Sequence, residues 1–117
     1  MINLDYQSRV PIYEQIIKEI ERYVALGLLK PEQQIPSIRE LAGSLGINPN
    51  TVKKAYSILE QKGTIVTLST KGTFISIKTD KIIENTINER ILEIKEKIKE
   101  IEKLGISKDE IIKRITK

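Results

Sequence analysis

The chain has 117 residues, enough for one compact domain of about 70 to 80 residues and an appendage. It contains neither cysteine nor histidine, which excludes disulfides, thiolate chemistry, imidazole general bases and the usual zinc sites. No cofactor or metal is expected, and no enzyme, because no pair of carboxylates or lysines adjoins an apolar pocket motif or a Gly-rich phosphate loop. The longest apolar run, Tyr23 to Leu29, is far short of the roughly 20 residues that span a bilayer, and Met1 to Val10 lacks the order of a signal peptide. A cytoplasmic protein with no membrane partner is therefore expected. Net charge is +4, and its placement matters more than its size. Between Asn48 and Lys78 five lysines (53, 54, 62, 71 and 78) face the single acid Glu60, so this segment holds the entire excess. That is the electrostatic footprint expected of phosphate contact.

In chain order, Pro11 opens a helix whose apolar residues Ile12, Ile16, Ile17, Ile20 and Val24 fall at three- and four-residue spacing, and which stops near Gly27. A polar connector, Lys30 to Gln34, leads to Ile35, which can form a one-bridge strand before Pro36. The second helix, about Ile38 to Leu45, begins with a capping box of Ser37 and Glu40 and closes at Gly46. Asn48 before Pro49 caps a third helix of about Pro49 to Lys62, which buries Val52, Ala55, Tyr56 and Leu59. At 100° per residue, Asn50, Lys54, Ser57 and Gln61 lie opposite that stripe, with Thr51 and Lys53 at its borders. Two short helices joined by a tight turn form a helix-turn-helix, whose second helix enters the DNA major groove. The β-branched runs Thr64–Leu68 and Thr73–Ile77 then predict a two-stranded hairpin with Gly72 at a left-handed position. The fold class is thus mainly α with a small β-hairpin, a winged helix-turn-helix over residues 1–78.

From about Asp80 an isoleucine skeleton appears in a charged background. Ile87, Ile91, Ile94, Ile98 and Ile101 alternate four- and three-residue steps, a coiled-coil seam that Ile83 and Leu104 extend. Gly105 ends this helix, and Ser107 with Glu110 predicts a second capping box before a short last helix lined by Ile111, Ile112 and Ile115. An uncovered seam of this length pairs or aggregates, so residues 79–117 are expected to form a two-helix dimerisation unit and the protein a homodimer.

Four sequence words resemble the gluconate-repressor (GntR) family of bacterial regulators and, within it, the short YtrA-like subfamily. They are Pro11-Ile12-Tyr13-Glu14-Gln15-Ile16, Pro36-Ser37-Ile38-Arg39-Glu40-Leu41-Ala42, Asn48-Pro49-Asn50-Thr51-Val52 and Gly72-Thr73-Phe74-Ile75, spanning roughly residues 8 to 77. The junction Leu104-Gly105-Ile106-Ser107 is similar to that subfamily's two-helix dimerisation unit. The resemblance implies a dimeric, sequence-specific regulator of transcription, commonly a repressor of its own or an adjacent operon, often one encoding a transporter. Its DNA partner would be a pseudo-palindromic double-stranded operator. Larger relatives add effector-binding or aminotransferase-like domains, which the roughly 40 residues after the wing here are too few to form. No residue identifies a small-molecule effector. Two departures stand out. The family's wing carries Arg followed by Gly-x-Gly, whereas Leu68-Ser69-Thr70-Lys71-Gly72 has no arginine and Thr70 in place of the first glycine. Glu32 also replaces the glycine that often follows Pro31 in relatives.

By resemblance and position, Arg39 is the leading DNA-contact candidate, since a guanidinium holds phosphate or a guanine edge bidentately; its alternative is pairing with Glu40 or Glu60. Asn50 and Thr51 lie in the first turn of the third helix, where side chains approach base edges, and Asn48 sits at the cap, for which capping alone is the simpler role. Lys53 and Lys54 are candidates for phosphate or bases, and Ser57 shares their face a turn further on. Lys71 and Gly72 are the wing candidates. Tyr6, Tyr13 and Tyr23 read as packing residues and Tyr56 as core; with 4% aromatics, the stacking platform of a single-strand binder is missing. A rival reading keeps the winged helix as a protein-interaction or architectural module without sequence-specific regulation.

Overall fold

The structure, a computed structural model, describes residues 2–117. It divides into two compact units, one ending at Ile82 and one beginning at Ile83.

In the first unit, α1 (Ile12–Ala25) presents Ile16, Ile17, Ile20, Tyr23 and Val24 to the interior. These residues recur at helical spacing, so one face is apolar while Glu14, Lys18 and Arg22 stay on the other. The short strand β1 (Gln34–Ile35) precedes α2 (Ile38–Leu45). Ser37 Oγ accepts the Glu40 amide proton at 3.1 Å and the Glu40 carboxylate accepts that of Ser37 at 3.1 Å, a complete capping box. Gly46 adopts φ 67°, ψ 36°, so the chain leaves α2 through a left-handed residue that glycine takes without steric cost. Three residues later α3 (Pro49–Gln61) begins, with Asn48 Oδ1 accepting the Asn50 amide proton at 2.8 Å. Val52, Ala55, Tyr56 and Leu59 of α3 are buried with Leu41 and Ala42 of α2, completing the three-helix core. The Tyr56 hydroxyl donates to the Pro36 carbonyl at 2.7 Å, which satisfies the one polar atom that this ring takes inside.

The wing is β2 (Ile65–Leu68) and β3 (Gly72–Ile75), paired antiparallel with Leu68 opposite Gly72 and Ile65 opposite Ile75. β1 adds to the other edge of β3, Gln34 opposite Phe74, so the sheet has three strands in the order β1-β3-β2 rather than the two of a bare hairpin. The strand expected at Ile35 is thus present, as two paired residues rather than a single bridge, and the second hairpin strand starts one residue earlier and stops sooner than Thr73–Ile77. Its left-handed turn residue is Ser69, at φ 43°; Gly72 sits at φ 124°, outside the left-handed helical well but equally unfavourable for a side chain. Ile65 and Ile75 bring the sheet into the helical core.

α4 (Thr79–Glu102) runs through the division into the second unit, and α5 (Lys108–Ile115) follows Gly105, at φ 102°. Only half of the expected second capping box forms. Ser107 Oγ accepts the Glu110 amide proton at 3.1 Å, but the Glu110 carboxylate accepts from Arg114 Nε at 3.1 Å instead. Of the three isoleucines assigned to one side of α5, Ile111 is buried, whereas Ile112 and Ile115 are exposed. No helix among the described residues is long and apolar enough to cross a membrane.

Candidate nucleic-acid interface

α2, the turn at Gly46-Ile47-Asn48 and α3 form the helix-turn-helix, and the apolar stripe of α3 fixes which side chains face away from the protein. Asn50, Lys53, Lys54, Ser57 and Gln61 are exposed and Thr51 is half-buried. No large apolar residue interrupts this face, so nothing on it calls for a protein partner to cover it. Asn48 is exposed, but its side-chain oxygen is engaged in capping, which leaves its amide NH2 as the freer group for a partner.

Arg39, the second residue of α2, is exposed, and among the described residues its guanidinium has no hydrogen bond or ion pair. Both carboxylates considered for it are engaged elsewhere. Glu40 closes the α2 cap, and Glu60 accepts a hydrogen bond from Thr67 Oγ1 on β2. The set of five lysines is likewise thinned. Lys62 pairs with Glu21 of α1 at 2.6 Å, and Lys54 Nζ lies 4.0 Å from the centroid of the Tyr13 ring. Between the start of α2 and Lys78, Arg39, Lys53, Lys71 and Lys78 remain, among the described residues, as exposed cations whose side chains have no hydrogen bond, ion pair or ring contact.

Lys71 occupies the wing turn, where its amide donates to Leu68 O at 2.8 Å and its carbonyl accepts from Gln34 Nε2 at 3.3 Å. Gly72 has a conformational reason to be glycine. Its φ is 124°, and a Cβ there would lie 2.5 Å from the Gln34 amide nitrogen.

Two tyrosines depart from the packing role. Tyr6 is 64% exposed, its hydroxyl donating to Leu45 O at 3.2 Å beside the helix-turn-helix turn. Tyr13 is half-buried and holds the Lys54 ammonium. Neither partnership has a local signature, because the residues meet across 39 and 41 positions of chain. Tyr23 and Tyr56 are buried, as expected. Burial pushes the Tyr56 phenol well above the ordinary tyrosine range, and the Glu40 carboxylate adds to the shift, so this hydroxyl stays a hydrogen-bond donor.

In the second unit the isoleucine seam is open. Ile87, Ile91, Ile94 and Ile101 are between 36% and 55% exposed and Ile98 is half-buried.

A three-helix core, a helix-turn-helix with a polar free face, and a β-hairpin wing define a winged helix of the DNA-binding kind. The description "Bacterial regulatory proteins, gntR family" matches residues 12–75. The HTH-type transcriptional repressor YtrA of Bacillus subtilis (strain 168) is 42% identical over 101 residues, covering 86% of this chain and 75% of that protein. A transcriptional regulator from Oenococcus oeni superposes with a TM-score of 0.77 at 34% identity, over 99% of this chain and 97% of that one. AraR(DBD), solved in complex with operator ORR3, superposes with a TM-score of 0.55 at 30% identity, over 63% of this chain and 89% of that one. The chain belongs to the gntR family of bacterial regulatory proteins and is a transcription regulator.

Proposed function

We propose that this regulator is a cytoplasmic, homodimeric repressor, not an enzyme, that binds a pseudo-palindromic operator and controls its own or an adjacent operon. The observation that carries the reading is the exposed polar face of α3, headed by an Arg39 whose neighbouring carboxylates are both engaged. Residues 1–78 serve as the DNA-binding domain and residues 79–117 as the dimerisation segment.

Each part has a distinct physical task. Asn50, with Thr51 beside it, meets base edges from the first turn of α3, where an amide side chain can present a donor and an acceptor together. Arg39 approaches the same groove from α2 and forks onto a guanine edge or a phosphate. Lys53 and Lys71 neutralise phosphates on the flank and at the wing tip, and Ser57 contributes where the helix leaves the groove. Asn48 and Gly72 serve mainly by shaping the backbone that carries these contacts. The seam of Ile87, Ile91, Ile94, Ile98 and Ile101 pairs two copies, so that their α3 helices address two half-sites.

The test is a mobility shift comparing labelled duplexes enriched by the chain from a random pool with scrambled duplexes of the same composition. The expected preference is about a thousandfold or more at fixed salt. Equal affinity for both pools would contradict regulation by sequence and favour the architectural role.

A further inference from the structure

Resting on the DNA-binding reading above, we propose that Tyr13 is a positioning residue of the interface, holding Lys54 in the posture in which its ammonium takes a phosphate beside the groove. By helical angle Lys54 lies near the middle of α3's free face, yet its tip lies over the Tyr13 ring of α1, 4.0 Å from the centroid. That distance is well within the reach of a cation–π attraction. The ring covers one side of the ammonium only. A lysine has three donors, and those directed away from the ring remain open to an acceptor of opposite charge.

The platform is itself held. Tyr13 OH donates to the Glu14 carboxylate at 3.3 Å, which gives that acid a partner other than Lys54. Gln15, two residues on, clamps the preceding loop: Oε1 accepts from the Asp5 amide at 2.8 Å, while Nε2 donates to Asp5 O at 2.9 Å and Val10 O at 2.8 Å. Tyr6 OH ties the same loop to Leu45 O, at the end of α2. The N-terminus of α1 is therefore fixed against the helix-turn-helix that it serves. An unsupported lysine loses much of its rotamer freedom on binding a phosphate, and a side chain already ordered over a ring loses less.

The experiment is a double-mutant cycle on the intact chain, read as affinity for an enriched operator duplex and as the slope of log affinity against log salt. Tyr13→Leu should weaken binding about two- to fivefold, the range of an exposed cation–π contact, and leave the salt slope unchanged because the Lys54 charge is still there. Lys54→Ala should lower the slope by about one. In the Lys54→Ala background Tyr13→Leu should have no further effect, and Tyr13→Phe, which keeps the ring face, should bind like the parent. Tighter or unchanged binding by Tyr13→Leu would mean that the ring sequesters Lys54 or is idle, and overturns the proposal. An equal loss in both backgrounds would mark a structural role and overturns it too. Failure of the parent to prefer the enriched duplex would sink the DNA reading itself, and this proposal with it.

Discussion

Replacing Ile94 by lysine should convert the proposed dimer into a folded monomer, and the size of the effect follows from how the seam is exposed. Ile94 shows 55% of its surface and stands at the middle of the five-isoleucine row on α4. Full burial of an isoleucine contributes roughly 1.5 to 3 kcal/mol, so covering the open half contributes about 1 kcal/mol on each protomer. In a two-fold pair the substitution acts twice. It removes both burials and places two unpaired ammonium groups in the apolar seam, where desolvation costs several kcal/mol more. A total of about 4 kcal/mol or more raises the dimer dissociation constant roughly a thousandfold. Because the second arm of a dimer acts at high effective concentration once the first has bound, operator affinity should fall by about a hundredfold or more. Analytical ultracentrifugation at micromolar concentration, read beside operator binding and a thermal melt, measures all three consequences. A variant that stays dimeric, or that becomes monomeric with undiminished operator affinity, would refute the reasoning.

Lys53→Ala should weaken enriched and scrambled duplexes alike and lower the salt slope by about one; a slope that does not change removes Lys53 from the phosphate contacts. Arg39→Ala and Asn50→Ala should each cost roughly 1 to 3 kcal/mol on the operator and much less on scrambled DNA, which competition titration at constant salt would show. Tyr56→Phe should cost about 1 to 2 kcal/mol at neutral pH, because the Pro36 carbonyl loses its donor. It should also flatten the alkaline limb of stability. The folded phenol's pKa is raised, so its contribution is complete below the unfolded value of about 10 and is lost as pH climbs beyond it, when the unfolded chain ionises first. Urea melts of parent and variant at pH 8 and about pH 10.5 would show the parent losing more stability than the variant.

Local chemistry was legible in the residues. The Ser37–Glu40 cap, the left-handed Gly46 and the Asn48-Pro49 start are decided within four residues of chain, and the sequence spacing places each where the structure has it. The buried stripe of α3 follows from helical period in the same way. Partnerships set by packing were not legible. Glu60 turning to Thr67, Lys62 to Glu21 and Lys54 to Tyr13 all depend on which helices and strands come to lie side by side. The half-formed cap at Ser107 shows a local rule losing to a local competitor, since Arg114, one turn further along α5, offers Glu110 a charged donor in place of a backbone amide. The third strand was visible only as Ile35 before a proline, and its pairing with β3 rather than β2 is a matter of topology.

The central claim is that the free face of α3 lies in the major groove of each half-site, and protection of guanine N7 from methylation tests it most directly, because N7 is exposed only there. On an enriched operator the chain should protect guanines in two symmetric patches whose centres are about 10 base pairs, or a multiple of that, apart, and Asn50→Ala should weaken the protection of both. Saturating, salt-sensitive binding with every guanine N7 still reactive would place the protein on the backbone or in the minor groove, and would contradict the account.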